Sequence, residues 1–96
     1  MLPYGREEGL ISVVYYLIMC RSLTYAQRTV RVLERGGISG HMMRAPKMIT
    51  KEGCTYCVKI SEQKLTDALK LLHREGIYPK QVFLQSSEGS YSEVTP

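Results

Sequence analysis

Ser22–Ile38 reads SLTYAQRTVRVLERGGI, and Ser61–Ile77 reads SEQKLTDALKLLHREGI. The second stretch repeats the first at an offset of 39 residues, with Ser22 falling on Ser61, Ala26 on Leu65 and Val30 on Leu69. Val32 then falls on Leu71, Leu33 on Leu72, Arg35 on Arg74, Gly37 on Gly76 and Ile38 on Ile77. Each copy carries the marks of one amphipathic helix. A serine opens it, because its hydroxyl can accept a hydrogen bond from a first-turn amide. Ala26, Thr29, Val30 and Leu33 in one copy, and Leu65, Ala68, Leu69 and Leu72 in the other, recur at helical spacing and give each helix one face to bury. A glycine ends each helix by accepting the left-handed conformation that other residues resist.

The repeat extends outward into strands. Leu17 falls on Tyr56 and Met19 on Val58. The β-branched and aromatic content of Val13–Cys20 predicts a strand there. A second strand is predicted from Gly40 to Ala45, where Pro46 stops it. Cys54–Ile60 and Gln81–Gln85 are the third and fourth. Two βαβ copies in tandem predict an α+β chain, a ferredoxin-like βαββαβ plait. Its four-stranded antiparallel sheet would have strand order 4-1-3-2 and both helices on one face. Residues 10–85 form this single domain, with a flexible segment over 1–9 and a polar, mobile tail over 86–96. The first strand is apolar on both faces: Val13, Tyr15, Leu17 and Met19 on one, Val14, Tyr16, Ile18 and Cys20 on the other. Helices cover only one face, so a homo-oligomer through the open sheet face is expected.

Bulk composition narrows the function classes. Ninety-six residues with 44 % apolar content make one globular domain. A net charge of +4 permits acidic partners without demanding them. Three cysteines, an odd number, fit poorly with a secreted disulfide framework and point to a reducing cytoplasm. Leu10–Cys20 is far shorter than the roughly 20 residues of a membrane span. Arg6, Glu7 and Glu8 before it are not the positive flank of a signal peptide. No phosphate-binding glycine loop, catalytic triad or zinc-protease motif is present, and carboxylates are few. Hydrolase chemistry therefore has no visible basis in the chain.

One segment points at chemistry. Arg44–Glu52 is a cationic loop that leads through Gly53 to Cys54. The predicted topology puts the end of the first strand beside the beginning of the third. Cys54 then falls near Arg21, near the helix start at Ser22, and beneath the loop bearing Lys47 and Lys51. Positive charge and a helix N-terminus both stabilise a thiolate. Cys54 and Cys57 have the C-x-x-C spacing, but two such residues in one strand lie about 10 Å apart. A disulfide needs Cα atoms within about 7 Å. Zinc would need ligands beyond Cys20, His41 and His73, and no fourth is evident, so no metal site is assigned. Tyr56 sits at a position where RNA-binding plaits stack a base, but Cys54 occupies the other such position, which argues against nucleic acid. Cys20 and Cys57 read as small core hydrophobes.

These residues also carry a family resemblance. Arg21-Ser22, the helix end Leu33-Glu34-Arg35-Gly36-Gly37-Ile38, the loop Ala45-Pro46-Lys47-Met48-Ile49-Thr50, Gly53-Cys54 and the stretch Leu71–Ile77 resemble the small bacterial family described as putative selenium/sulfur carrier protein-like. The likeness covers Tyr15 to Phe83, and Pro-Lys-x-Ile-Thr followed by Gly-Cys is its most specific element. It implies that Cys54 accepts and passes on sulfur or selenium between donor and acceptor proteins, with no bound organic cofactor. Arg21, Ser22, Lys47, Thr50 and Lys51 would surround the thiolate. Thr55 stands where that family usually has a second glycine, and Cys57 takes no role from the resemblance. The competing expectation is a non-catalytic module that binds a protein, a small anion or RNA through the cationic edge near Arg21, Lys47 and Lys51.

Overall fold

The computed structural model describes residues 14–50 and 55–94. In chain order the elements are β1 (Tyr15–Cys20), α1 (Leu23–Arg35), β2 (His41–Arg44), a 3-10 turn (Lys47–Ile49), β3 (Tyr56–Ser61), a second 3-10 turn (Glu62–Lys64), α2 (Leu65–Arg74), β4 (Val82–Gln85) and β5 (Tyr91–Val94). The fold is α+β, with two helices and one five-stranded sheet of order β2-β3-β1-β4-β5. Every neighbouring pair is antiparallel. The expected flexible segment 1–9, the predicted strand start at Val13, and the site positions Lys51 and Cys54 lie outside the described residues.

β1 and β3 are the sheet's centre, in a register that runs from Tyr15 opposite Ser61 to Cys20 opposite Tyr56. Their alternating side chains feed two cores. On the helix side, Ile18, Cys20, Val58, Ile60 and Val82 pack with Ala26, Val32 and Leu33 of α1 and with Ala68 and Leu72 of α2. On the other side, Leu17, Met19, Cys57 and Phe83 pack with Ile49 of the first 3-10 turn, and Met43, Ala45 and Tyr91 lean on that cluster. Leu17 is 0 % exposed and Met19 4 % within a single chain. The part of the second face that they form is thus closed by the chain's own 45–49 segment and its strand neighbours. A buried aliphatic side chain of this kind contributes about 1.5–3 kcal/mol.

The two copies of the repeat end in the same hydrogen-bonded device. After α1, Gly37 N donates to Glu34 O (3.0 Å) and Ile38 N to Leu33 O (2.9 Å). After α2, Gly76 N donates to His73 O (3.0 Å) and Ile77 N to Leu72 O (2.8 Å). Both are Schellman closures, and both glycines have the positive φ that the motif requires, 83° and 80°. Ile38 and Ile77 then drop into the helix-side core.

Three expectations are corrected. The sheet has five strands, where four were expected, because residues 91–94 of the presumed tail form β5 against β4. A turn over Ser86–Ser90 makes this possible. Gly89 at φ 89° lets its N–H reach Ser86 O (3.0 Å), and Ser86 N bonds Ser90 O (3.0 Å). Ser61 does not cap α2 with its hydroxyl, since a 3-10 turn intervenes and α2 begins at Leu65. On α1, Val32 is fully buried where Val30 was expected to be, because the helix rolls to set Val32 over the sheet while Val30 packs at the margin.

Gly37→Ala and Gly76→Ala are each expected to cost about 1–2 kcal/mol, the penalty of a left-handed backbone for a residue with a Cβ. Space is not the cause, for a Cβ at either position meets no atom within 4 Å. Urea midpoints of the two variants read this directly.

Candidate functional site

Strand direction gathers the described site residues at one end of the sheet. β1 ends there at Cys20, β2 ends there at Arg44, and β3 begins there at Tyr56, the three residues sharing one row. β4 enters at the same end, where Met19 N donates to Gln81 O (3.0 Å). α1 starts here because the chain turns back immediately after β1. Ser22 is its N-cap, in extended backbone, and its Oγ accepts from Tyr25 N at 3.2 Å.

The cationic loop has an ordered base. Ala45 N donates to the carbonyl of Thr55, the residue that follows Cys54 in the chain, at 2.9 Å. Pro46 cannot donate and leaves its carbonyl as an acceptor, which Ile49 N (3.0 Å) and the Thr50 hydroxyl (2.8 Å) both use. Ile49 is buried in the second core and anchors the turn from below. Thr50 therefore folds the loop: its hydroxyl proton is committed to the backbone. Lys47 stays exposed. Lys47 and Thr50 line a shallow cleft of about 240 Å³ together with Arg44, Ala45 and Thr55.

Arg21 is exposed at the same end but lines a different cleft, also about 240 Å³, with Tyr25, Tyr78 and Lys80 on its walls and Met19 beneath. Of the four described site residues, Lys47 and Thr50 line one cleft and Arg21 the other, while Ser22 caps α1. Arg44 and Lys80 were not among the predicted site residues. Both could have been found from strand order alone, because the end of β2 and the start of β4 border the same edge. The Arg44 guanidinium sits 5.8 Å from the centre of the Tyr56 ring. Tyr56 packs on the helix side of the sheet, not on the opposite face where a base would stack.

The two described cysteines are enclosed. Cys20 is 1 % exposed on the helix side, with its thiol 3.6 Å from the Ile18 carbonyl. Cys57 is 0 % exposed on the opposite side, in the row between Met19 and Met43. A strand alternation so placed prevents Cys20 and Cys57 from holding one ion together. Burial pushes the Cys57 thiol up to about 11, against a smaller opposing pull from Lys59. Cys57 is thus a protonated core residue at neutral pH. His73 rests against the Tyr78 ring, centroids 5.0 Å apart, at the end of α2, and His41 is exposed at the start of β2, far from it along the fold. Among the described residues no cluster of three or more His, Cys, Asp or Glu side chains could hold a metal ion. Among the same residues no helix is long and apolar enough to cross a membrane.

The raised Cys57 value has a consequence for stability. The unfolded thiol ionises near 9.0 and the folded one near 11. The contribution is whole below pH 9 and is lost as pH rises through 11, because only the unfolded chain gives up this proton in between. Urea midpoints should fall more steeply between pH 9 and 11 in the wild type than in Cys57→Ala.

The family described as putative Se/S carrier protein-like matches residues 15–84. No curated protein and no solved structure matches the chain.

Proposed function

The chain belongs to the putative Se/S carrier protein-like family, and from that premise we propose that it carries sulfur or selenium on Cys54 between partner proteins. In the same reading the first four strands and both helices make a ferredoxin-like plait, with β5 added at its edge. The reading is supported most by the burial of the other two thiols. Cys20 and Cys57 are closed into opposite cores, and Cys57 is held protonated, so neither is fit to be a nucleophile. The family's chemistry then falls to Cys54, whose successor Thr55 is tied to the base of the cationic loop.

The transfer needs no net oxidation. The Cys54 thiolate attacks the terminal sulfur of a donor persulfide. The donor's sulfur–sulfur bond breaks, a new one forms at Cys54, and the donor leaves as a thiolate. The same exchange, run toward an acceptor thiolate, returns Cys54 to its starting state. Selenium in the terminal position follows the same balance. Arg21, Lys47, Lys51 and the α1 N-terminus would favour the Cys54 thiolate by charge, while Ser22 and Thr50 hold the helix start and the loop in shape. A reducing cytoplasm would keep such a thiol available. A homodimer through the sheet face belongs to the same reading and would show as a solution mass twice that of the chain.

Alkylation with iodoacetamide, followed by mass spectrometry across pH, tests the proposal. Cys54 is expected to react alone in the folded protein, with an apparent pKa well below the free value of about 8.5. Cys54→Ser should abolish persulfide loading and leave the urea midpoint within about 0.5 kcal/mol of wild type. If Cys54 titrates as an ordinary thiol, or resists alkylation, the carrier reading fails and a binding module using the same cationic edge takes its place.

A further inference from the structure

The large apolar side chains that the fold leaves exposed lie toward one end of the sheet. Among the described residues these are Leu23 at 41 %, Met48 at 74 % and Tyr78 at 64 %. Leu23 is the first residue of α1, Met48 is the middle of the 3-10 turn after β2, and Tyr78 lies in the lead-in to β4. Strand order brings all three to the end of the sheet where β3 begins. Scattered exposed apolar residues need no explanation, but a set confined to one end and rimmed by charge marks an interaction surface. The rim is cationic. Arg21, Arg44, Lys47 and Lys80 border the two clefts there. Among the described residues the carboxylates at this end are Glu93, whose oxygen accepts from Gln81 Nε2 at 3.5 Å, and Glu75, the C-cap of α2.

We infer that this end is a docking surface for an acidic segment of a partner protein that also presents apolar side chains, Met48 and Tyr78 receiving the apolar contacts and Lys80 and Arg44 the carboxylates. The inference rests on the carrier reading for its purpose, since a carrier must hold its donor and its acceptor while the group passes. Its physical basis is separate. Aliphatic Leu23 and Met48 offer a protein partner contact area but offer a nucleic acid no stacking face. The aromatics on the two central strands are also committed elsewhere. Tyr56 is turned into the helix-side core, and the Lys59 ammonium covers the Tyr15 ring at 4.2 Å. A single-stranded RNA therefore fits this end less well than a protein segment.

The test uses the full chain and a fluorescein-labelled peptide in which glutamates flank a Leu-Phe pair, with binding read by anisotropy at low salt. Lys80→Glu is expected to weaken binding by about fivefold, and Tyr78→Ser or Met48→Ser by a similar factor. Lys64→Glu makes the same charge change at the far end of the sheet, beside Ser61 and His41. It should stay within about twofold of wild type. Exchanging Leu-Phe for Ser-Ser in the peptide should weaken binding to wild type but not to Tyr78→Ser. Equal losses in Lys80→Glu and Lys64→Glu would mean diffuse charge attraction and overturn the assignment, as would a peptide that does not bind. Displacement of the peptide by a single-stranded oligoribonucleotide of equal charge, dependent on Tyr78, would overturn it in favour of RNA. Iodoacetamide is neutral, so the Cys54 alkylation rate in the Tyr78, Met48 and Lys80 variants reports on the carrier chemistry independently of docking.

Discussion

The antiparallel pairing of β1 with β3 is the constraint on which the rest depends. Its register sets Cys20 against Tyr56 and Met19 against Cys57, and so decides which residues of both strands face the helices and which face the 45–49 segment. A slip of one residue would exchange the two faces entirely. It would put Leu17 and Met19 under the helices and deprive Ile49 of the pocket it fills. The loop would lose its anchor, and with it the ordered base beneath Lys47. Core and site are in this sense one packing problem: the residue that closes the second face is also the one that holds the cationic turn down.

Much of this was legible because the sequence states it twice. The internal repeat marked both helices, both glycine closures and the strands around them. The structure realises the closures with the same pair of hydrogen bonds in each copy. Legibility failed where the signal was short or polar. Tyr91-Ser92-Glu93-Val94 has two apolar residues in four and follows a serine-rich stretch, so it reads as a tail. Its strand character comes from pairing with β4, a tertiary cause invisible to local pattern. Ser61 looked like a helix cap by residue type, but it is the last residue of β3, and the chain needs a 3-10 turn to change direction before α2 can start.

The second face of the sheet was legible in composition but not in consequence. Alternation in β1 showed both faces to be apolar. What the sequence concealed is that Ile49, five residues beyond the end of β2 in a loop without periodic pattern, folds back over part of that face. Single apolar residues in loops carry no periodic signal. For the candidate site, topology brought Arg21, Ser22, Lys47 and Thr50 to one end of the sheet, while the division into two clefts depended on side-chain detail at Arg21, Lys80 and Lys47 that strand order alone does not specify.

The enclosure of two thiols in two different layers gives the molecule a built-in record of how it opens. Cys20 answers only when the helix layer lifts from the sheet, and Cys57 only when the cover over the opposite face is lost. The second cover is a short segment held by one isoleucine and a few backbone hydrogen bonds, whereas the first is two whole helices. Partial openings of unequal cost are the rule in small domains. The order in which the two sulfurs become accessible would therefore distinguish a peeling of the loop from a global unfolding event, with no label added to the chain.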